Sequence, residues 1–137
     1  MHSNGLSLAR KAIPKSETAL RNELLKPTRI YVRILKRVLA ETGILAAAHI
    51  TGGGLEGNIS RVLPEGCALR IEKNWQIPAI FDAIQQQGGI DSEEMYRVFN
   101  MGVGMVLVAE ERQAGTLLSL LHGAGEEAFP IGRVIEA

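Results

Sequence analysis

Residues 49–61 read HITGGGLEGNISR, so a histidine, a threonine, four glycines, an asparagine and an arginine share one short span. Three consecutive glycines strip a turn of its side chains and let the backbone amides approach a ligand closely, at an entropic cost that a plain corner does not require. Where such a turn opens a helix, unpaired amides and the helix dipole both favour an anion. The spacing matches neither the dinucleotide fingerprint nor the P-loop, which needs Gly-Lys followed by Ser or Thr. On the pattern alone, a structural corner and a phosphate cradle are both open. His49 directly precedes the turn, where an imidazole can serve as acid, base or hydrogen-bond donor, although a lone strand histidine is more often structural.

Two other breaks carry glycine and small polar groups. His2, Ser3, Asn4 and Gly5 are turn and cap residues ahead of a helical pattern, and by themselves read as a loosely ordered terminus. Gly102 and Gly104, two apart after Asn100, leave one face of a strand bare, so that a ligand or another backbone can lie against it. Other residues have plainer readings. His122 at a helix end is structural, and Cys67 is a small buried hydrophobe. Trp75 and Tyr31 are core or rim, because aromatics make up only 4% of the chain and do not interleave with basic residues. No paired carboxylates, nucleophile elbow or metal-ligand cluster is visible, so no metal site is expected in this chain.

The elements that must position these residues follow from periodicity. Leu6, Ala9 and Ile13 mark a short helix that Asn4 or Ser7 could cap, and residues 14–26 read as a polar connector with a helical turn. Ile30, Ile34 and Val38 recur at steps of four from Pro27, with Gly43 past the end, which predicts a helix whose basic residues Arg29, Arg33, Lys36 and Arg37 face mostly solvent. LAAAHIT predicts a buried strand running into the glycine loop, and Asn58–Leu63 a short helix stopped by Pro64. CALRIEK is a second strand, followed by a helix over Pro78–Gln87. Asp91 with Glu94 forms a capping-box pattern for a helix through Phe99. The apolar end of NMGVGMVLVA is a third strand, Glu111 opens a helix closed by Gly123, and AFPIGRVIE holds a last strand.

Composition bounds what these elements can serve. The 137 residues suffice for one core and suggest a single domain over 1–137. Fifteen basic and fifteen acidic residues cancel, which removes the broad positive field that nucleic acid or an anionic membrane would call for. Any anion site must therefore be local. With one cysteine there is no internal disulfide, and no apolar run is long enough to span a membrane, so the cytoplasm is the expected location.

Five blocks, HSNGLSLAR at 2–10, LLKPTRIYV at 24–32, AHITGGGLEGNISRVLP at 48–64, NWQIPAIF at 74–81 and EMYRVFNMGVGMVLV at 94–108, together resemble the C-terminal domain of the aminoimidazole ribonucleotide synthetases, also called phosphoribosylformylglycinamidine cyclo-ligases. The resemblance runs in order through nearly the whole chain. It implies an α+β fold with helices on a mixed sheet of about four strands. It also implies an enzyme of purine biosynthesis that uses ATP to activate the formyl amide oxygen of formylglycinamidine ribonucleotide before ring closure. Such proteins are dimers of two-domain chains. Their N-terminal domain, which binds most of the ATP and Mg2+, would be absent here together with the strand leading into HSNG, and the isolated chain would be inactive.

By the same resemblance His2 and His49 are candidate catalytic residues. Ser3, Asn4, Gly5, Thr51, Gly52, Gly53, Gly54, Asn58, Arg61, Asn100, Gly102 and Gly104 are the candidate substrate contacts. Gly57 and Ser60 stand where many relatives carry Glu and Pro, which excludes position 57 from catalysis. Rival readings are another ATP-using superfamily member, such as a selenophosphate synthetase, a thiamine phosphate kinase or a hydrogenase maturation factor, or a binding module that kept the fold and lost the chemistry. HSNG, PTRIYV and FNMGVGM argue against the first.

Overall fold

A computed structural model describes the chain from Met1 to Ala137. Seven helices and four strands alternate: α1 (Leu6–Ala12), α2 (Thr18–Leu24), α3 (Val32–Glu41), β1 (Ile44–His49), α4 (Gly54–Ile59) with a 3₁₀ turn at Ser60–Val62, β2 (Cys67–Ile71), α5 (Ala79–Gly88), α6 (Ser92–Val98), β3 (Met105–Ala109), α7 (Glu111–Gly123) and β4 (Gly132–Glu136). The class is α+β as expected, but the four strands do not form one mixed sheet. β1 pairs with β3 and β2 with β4, each pair antiparallel and separate from the other. Alternation of apolar residues marks a strand and its buried face but carries no information on which partner it meets. Here the two ribbons present apolar sides to a shared cleft of about 1440 Å³ instead of joining edge to edge.

The core is correspondingly divided. One cluster gathers Ala9, Leu24, Phe81, Ile84 and Met95 from the helices α1, α2, α5 and α6, with Ile13 and Phe99 just past the ends of α1 and α6. A second gathers Ala48, Ile50, Leu55, Ile59, Val103 and Val106 beneath the glycine loop. Trp75 packs against both clusters, and its indole N–H donates to the Met101 carbonyl at 2.9 Å, so this aromatic joins the two cores.

Three boundaries differ from the periodic pattern. α3 begins at Val32, not Pro27, and Ile30 is 81% exposed. Arg29 pairs with Glu126 and the Tyr31 hydroxyl bonds to His2, and these two contacts hold the segment before α3 off the helical path. α4 begins at Gly54, not Asn58, because Asn58 folds its side chain back on the loop and uses the preceding turn as its frame. At α1 the cap is Gly5 in a left-handed conformation, with no side-chain cap, since the Asn4 amide instead donates to Val98 O at 2.6 Å. By contrast, Asp91 caps α6 as its sequence pattern predicts, accepting from the Glu94 amide at 2.9 Å.

Asp91→Ala is therefore expected to lower the unfolding free energy by about 1 kcal/mol, the usual worth of such a cap. Denaturant midpoints of the two chains check this, and an unchanged midpoint would mean that the bond adds nothing to stability.

Candidate functional site

The site is built around the root of the glycine loop. β1 runs antiparallel to β3 with His49 opposite Met105, and the Ile50 amide extends the ladder by donating to Gly104 O at 3.0 Å. The Ile50 carbonyl then points the other way and accepts from Nδ1 of His2 at 2.7 Å. One peptide thus ties the N-terminal turn, the glycine loop and the segment before β3 together. The His2 ring lies 4.9 Å from the His49 ring between centroids and 5.8 Å from that of Tyr31, while Tyr31 and His49 stand 5.7 Å apart. His2 is buried, not loosely ordered, and His49 is exposed.

Because a carbonyl oxygen only accepts, His2 Nδ1 must carry the proton, and a neutral ring then presents Nε2 as an acceptor. Tyr31 Oη lies 2.9 Å from that Nε2 and donates to it. Burial holds the His2 pKa below the ordinary imidazole value of 6.5, with the nearby His49 and the N-terminal ammonium pushing the same way against the hydrogen bond to Ile50. Burial also raises the Tyr31 phenol, which keeps it a donor.

The glycine loop itself divides into a clamped part and an open part. Asn58, almost fully buried, donates to the carbonyls of Thr51 (3.2 Å), Gly52 (3.3 Å) and Gly54 (2.7 Å), and its Oδ1 accepts from Thr51 Oγ1 at 3.1 Å. The side chain expected to meet substrate is therefore spent on holding the loop. Gly54 is likewise enclosed: its amide donates to Thr51 O, and a methyl group on its Cα would strike the Tyr96 carbonyl. Gly52 and Gly53 differ, since their amides make no bond to the protein backbone and the space at Gly52 is empty. A Cβ built on Gly53 would lie 3.8 Å from an Arg61 guanidinium nitrogen, so a cation stands close to Gly53.

The remaining candidates are brought close to this loop, but their glycines serve packing. Gly104 leaves room for Tyr31 Oη and His2 Nε2, Gly102 (φ 93°) for the Pro78 ring, and Gly5 (φ 74°) for Phe99. The bare strand face foreseen before β3 is thus filled by the protein's own side chains. Asn100 is buried and donates to Val103 O at 3.2 Å, and Met101 next to it holds a positive φ of 48°. Ser3 is exposed. Tyr31, read from the sequence as core or rim, is half-buried and packs against both histidines. Its presence in the PTRIYV block was the one signal available.

A large cleft lies elsewhere. The 1440 Å³ cleft between the ribbons shares only Tyr31 and Gly102–Gly104 with this site, and 28 of its 41 lining residues are hydrophobic, which suits apolar packing and not a phosphate. No group of three or more His, Cys, Asp or Glu side chains is placed to hold a metal ion. The donors gathered here are amides, imidazoles and a guanidinium, which suit an anionic ligand and not a hard cation.

Likeness to known proteins covers the whole chain. The AIR synthase related protein, C-terminal domain family matches residues 1–137. The chain belongs to this family. Relatives include proteins named phosphoribosylformylglycinamidine cyclo-ligase from Trichlorobacter lovleyi, 44% identical over 98% of this chain and 42% of theirs, and from Pseudothermotoga lettingae, 47% identical over 98% of this chain and 43% of theirs. One of the same name from Coxiella burnetii is 47% identical over 97% of this chain and 41% of its own. The chain thus spans under half the length of these AIR synthase family relatives. No helix of this family member is long and apolar enough to cross a membrane.

Two outcomes test the geometry. Gly54→Ala should cost more than about 2 kcal/mol, because the φ of 66° is strained for alanine and the obstructing atom is backbone, whereas Gly52→Ala should stay within about 1 kcal/mol. Equal denaturant midpoints for the two variants would contradict the division of the loop. His2 supplies a pH test. Its folded-state pKa is depressed, so below pH 6.5 the unfolded chain binds a proton that the native ring refuses. Stability should fall as pH drops through this window and level off once the native ring also protonates. His2→Gln should flatten that part of the profile in thermal melts at a series of pH values.

Proposed function

We propose that this chain is the substrate-side part of an ATP-dependent phosphoribosylformylglycinamidine cyclo-ligase, which converts formylglycinamidine ribonucleotide to aminoimidazole ribonucleotide with release of ADP and phosphate. The observation that carries the reading is the convergence on one peptide, Ile50, of the His2 turn, the glycine loop and the segment before β3. These segments are three of the blocks whose order resembles the cyclo-ligases, and proteins of that name match 98% of the chain at 44–47% identity.

Within this reading the open amides of Gly52 and Gly53 and the Arg61 guanidinium hold the sugar phosphate, the amides by direct approach and the arginine by charge-assisted bonds. Thr51 and Ser3 border that pocket. Asn58, Gly54, Gly5, Asn100, Gly102 and Gly104 act one step back, by fixing the backbone that meets the ligand. His49, with His2 packed behind it, sits where charge develops as the amide oxygen of the substrate is phosphorylated and a substrate nitrogen attacks to close the imidazole ring, a place where a positioned donor stabilises the transition state. ATP and Mg2+ belong mainly to an N-terminal domain of the same protein, for which the relatives' remaining length leaves room. The working assembly is a cytoplasmic homodimer, and the chain by itself does not turn over.

Inorganic phosphate titrated into the ¹⁵N-labelled chain should move the amide signals of Gly52 and Gly53, and Arg61→Ala should weaken this binding at least about tenfold, the worth of one charge-assisted bond. Shifts confined to remote surface residues would sink the pocket. In the full-length protein carrying this chain, formation of aminoimidazole ribonucleotide from formylglycinamidine ribonucleotide and ATP is the decisive assay. No product from a folded full-length protein would favour a non-catalytic module.

A further inference from the structure

The two histidines are held differently. His2 has both ring nitrogens engaged, Nδ1 with the Ile50 carbonyl and Nε2 with the Tyr31 hydroxyl. His49 packs its ring 4.9 Å from His2 but is exposed. We propose that Tyr31 is a positioning residue, whose hydroxyl locks His2 as a neutral Nδ1–H ring supporting His49, and that His49 is the histidine that meets the ligand and moves protons.

Three observations support this division. First, the chain from Tyr31 Oη through the His2 ring to Ile50 O has one consistent set of donors and acceptors, because its terminal carbonyl accepts only. A ring with both nitrogens so occupied has no lone pair or proton to offer a substrate without breaking a bond. Second, Gly104 is bare where this bond forms: a Cβ there would meet both Tyr31 Oη and, at 2.6 Å, His2 Nε2. The glycine in the segment before β3 therefore makes room for the tyrosine–histidine bond, not for a ligand. Third, the surroundings favour an uncharged His2. Burial disfavours a charge on the ring, the neighbouring His49 acts in the same direction, and no carboxylate is among the groups acting on it. Arg29 and Glu126, themselves paired, are the charged groups facing Tyr31, and their effects on the phenol oppose each other.

The catalytic half of this assignment rests on the cyclo-ligase reading, while the hydrogen-bond half does not, and the experiment separates them. In the unliganded chain labelled with ¹⁵N at the imidazole nitrogens, His2 should show a protonated Nδ1 and an unprotonated Nε2 at neutral pH. Tyr31→Phe removes the donor that favours the neutral ring, so the His2 titration should move to higher pH. An Nε2–H ring in the unsubstituted chain, or a His2 titration that stays put or falls in Tyr31→Phe, overturns the proposal. If the variant does not fold, the ring state of the unsubstituted chain decides. In the full-length protein, Tyr31→Phe should lower kcat with little change in the KM for formylglycinamidine ribonucleotide, and the acid limb of the rate profile should move to higher pH. Full activity with an unmoved limb would overturn the positioning role. Absence of cyclo-ligase turnover in the unsubstituted full-length protein would instead remove the enzymatic reading and leave the ring measurements to decide.

Discussion

The imidazole of His2 is the point on which the rest of the site depends, because it satisfies in one place a backbone carbonyl, a phenol and a packing face that come from three distant parts of the chain. Its bond to Ile50 O sets the direction in which β1 leaves the ladder and enters the glycine loop. Its bond to Tyr31 ties down the residue before α3, and its bulk is what Gly104 accommodates. A buried ring nitrogen left without a partner would cost about as much as a lost hydrogen bond, so the turn, the loop and the strand entry are held in register by the same few atoms.

Around that ring, close approach and ligand access are distributed among different glycines. Gly5, Gly54, Gly102 and Gly104 allow side chains or backbone of the protein itself to come near, as contacts with Phe99, Tyr96, Pro78 and the His2–Tyr31 pair show. Gly52 and Gly53 are exposed, and their amides make no backbone hydrogen bond. Asn58 holds the loop in this shape by donating to three of its carbonyls at once. The anion pocket proposed at this loop needs no net positive charge on the domain, because the Arg61 guanidinium and two backbone dipoles would act locally on a chain of zero formal charge.

The division of the core carries a second consequence. Only 22 of 137 residues are buried, and the apolar sides of the two ribbons line a wide cleft instead of packing together. The glycine loop rests on the smaller cluster, in which Leu55 and Ile59 of α4 are almost wholly buried. The site is thus anchored by α4 and the β1–β3 ribbon, while β2, β4 and α7 surround the cleft and contribute nothing to the hydrogen bonds at His2.

The sequence by itself determined the elements, because hydrophobic spacing, turn glycines and the Asp91 cap act over a few residues and do not depend on distant partners. It also singled out His2, His49 and the glycine loop, through their likeness to a known family, as segments that the fold brings together. Which strands pair, where α3 begins and which polar groups remain available were decided only by the tertiary structure. Each of these depends on what lies opposite in space: β4 opposite β2, Glu126 opposite Arg29, His2 opposite Tyr31. Asn58 shows the limit most clearly. Its amide looks the same in a sequence whether it faces a phosphate or three carbonyls of its own loop, and only the fold of that loop decides between them.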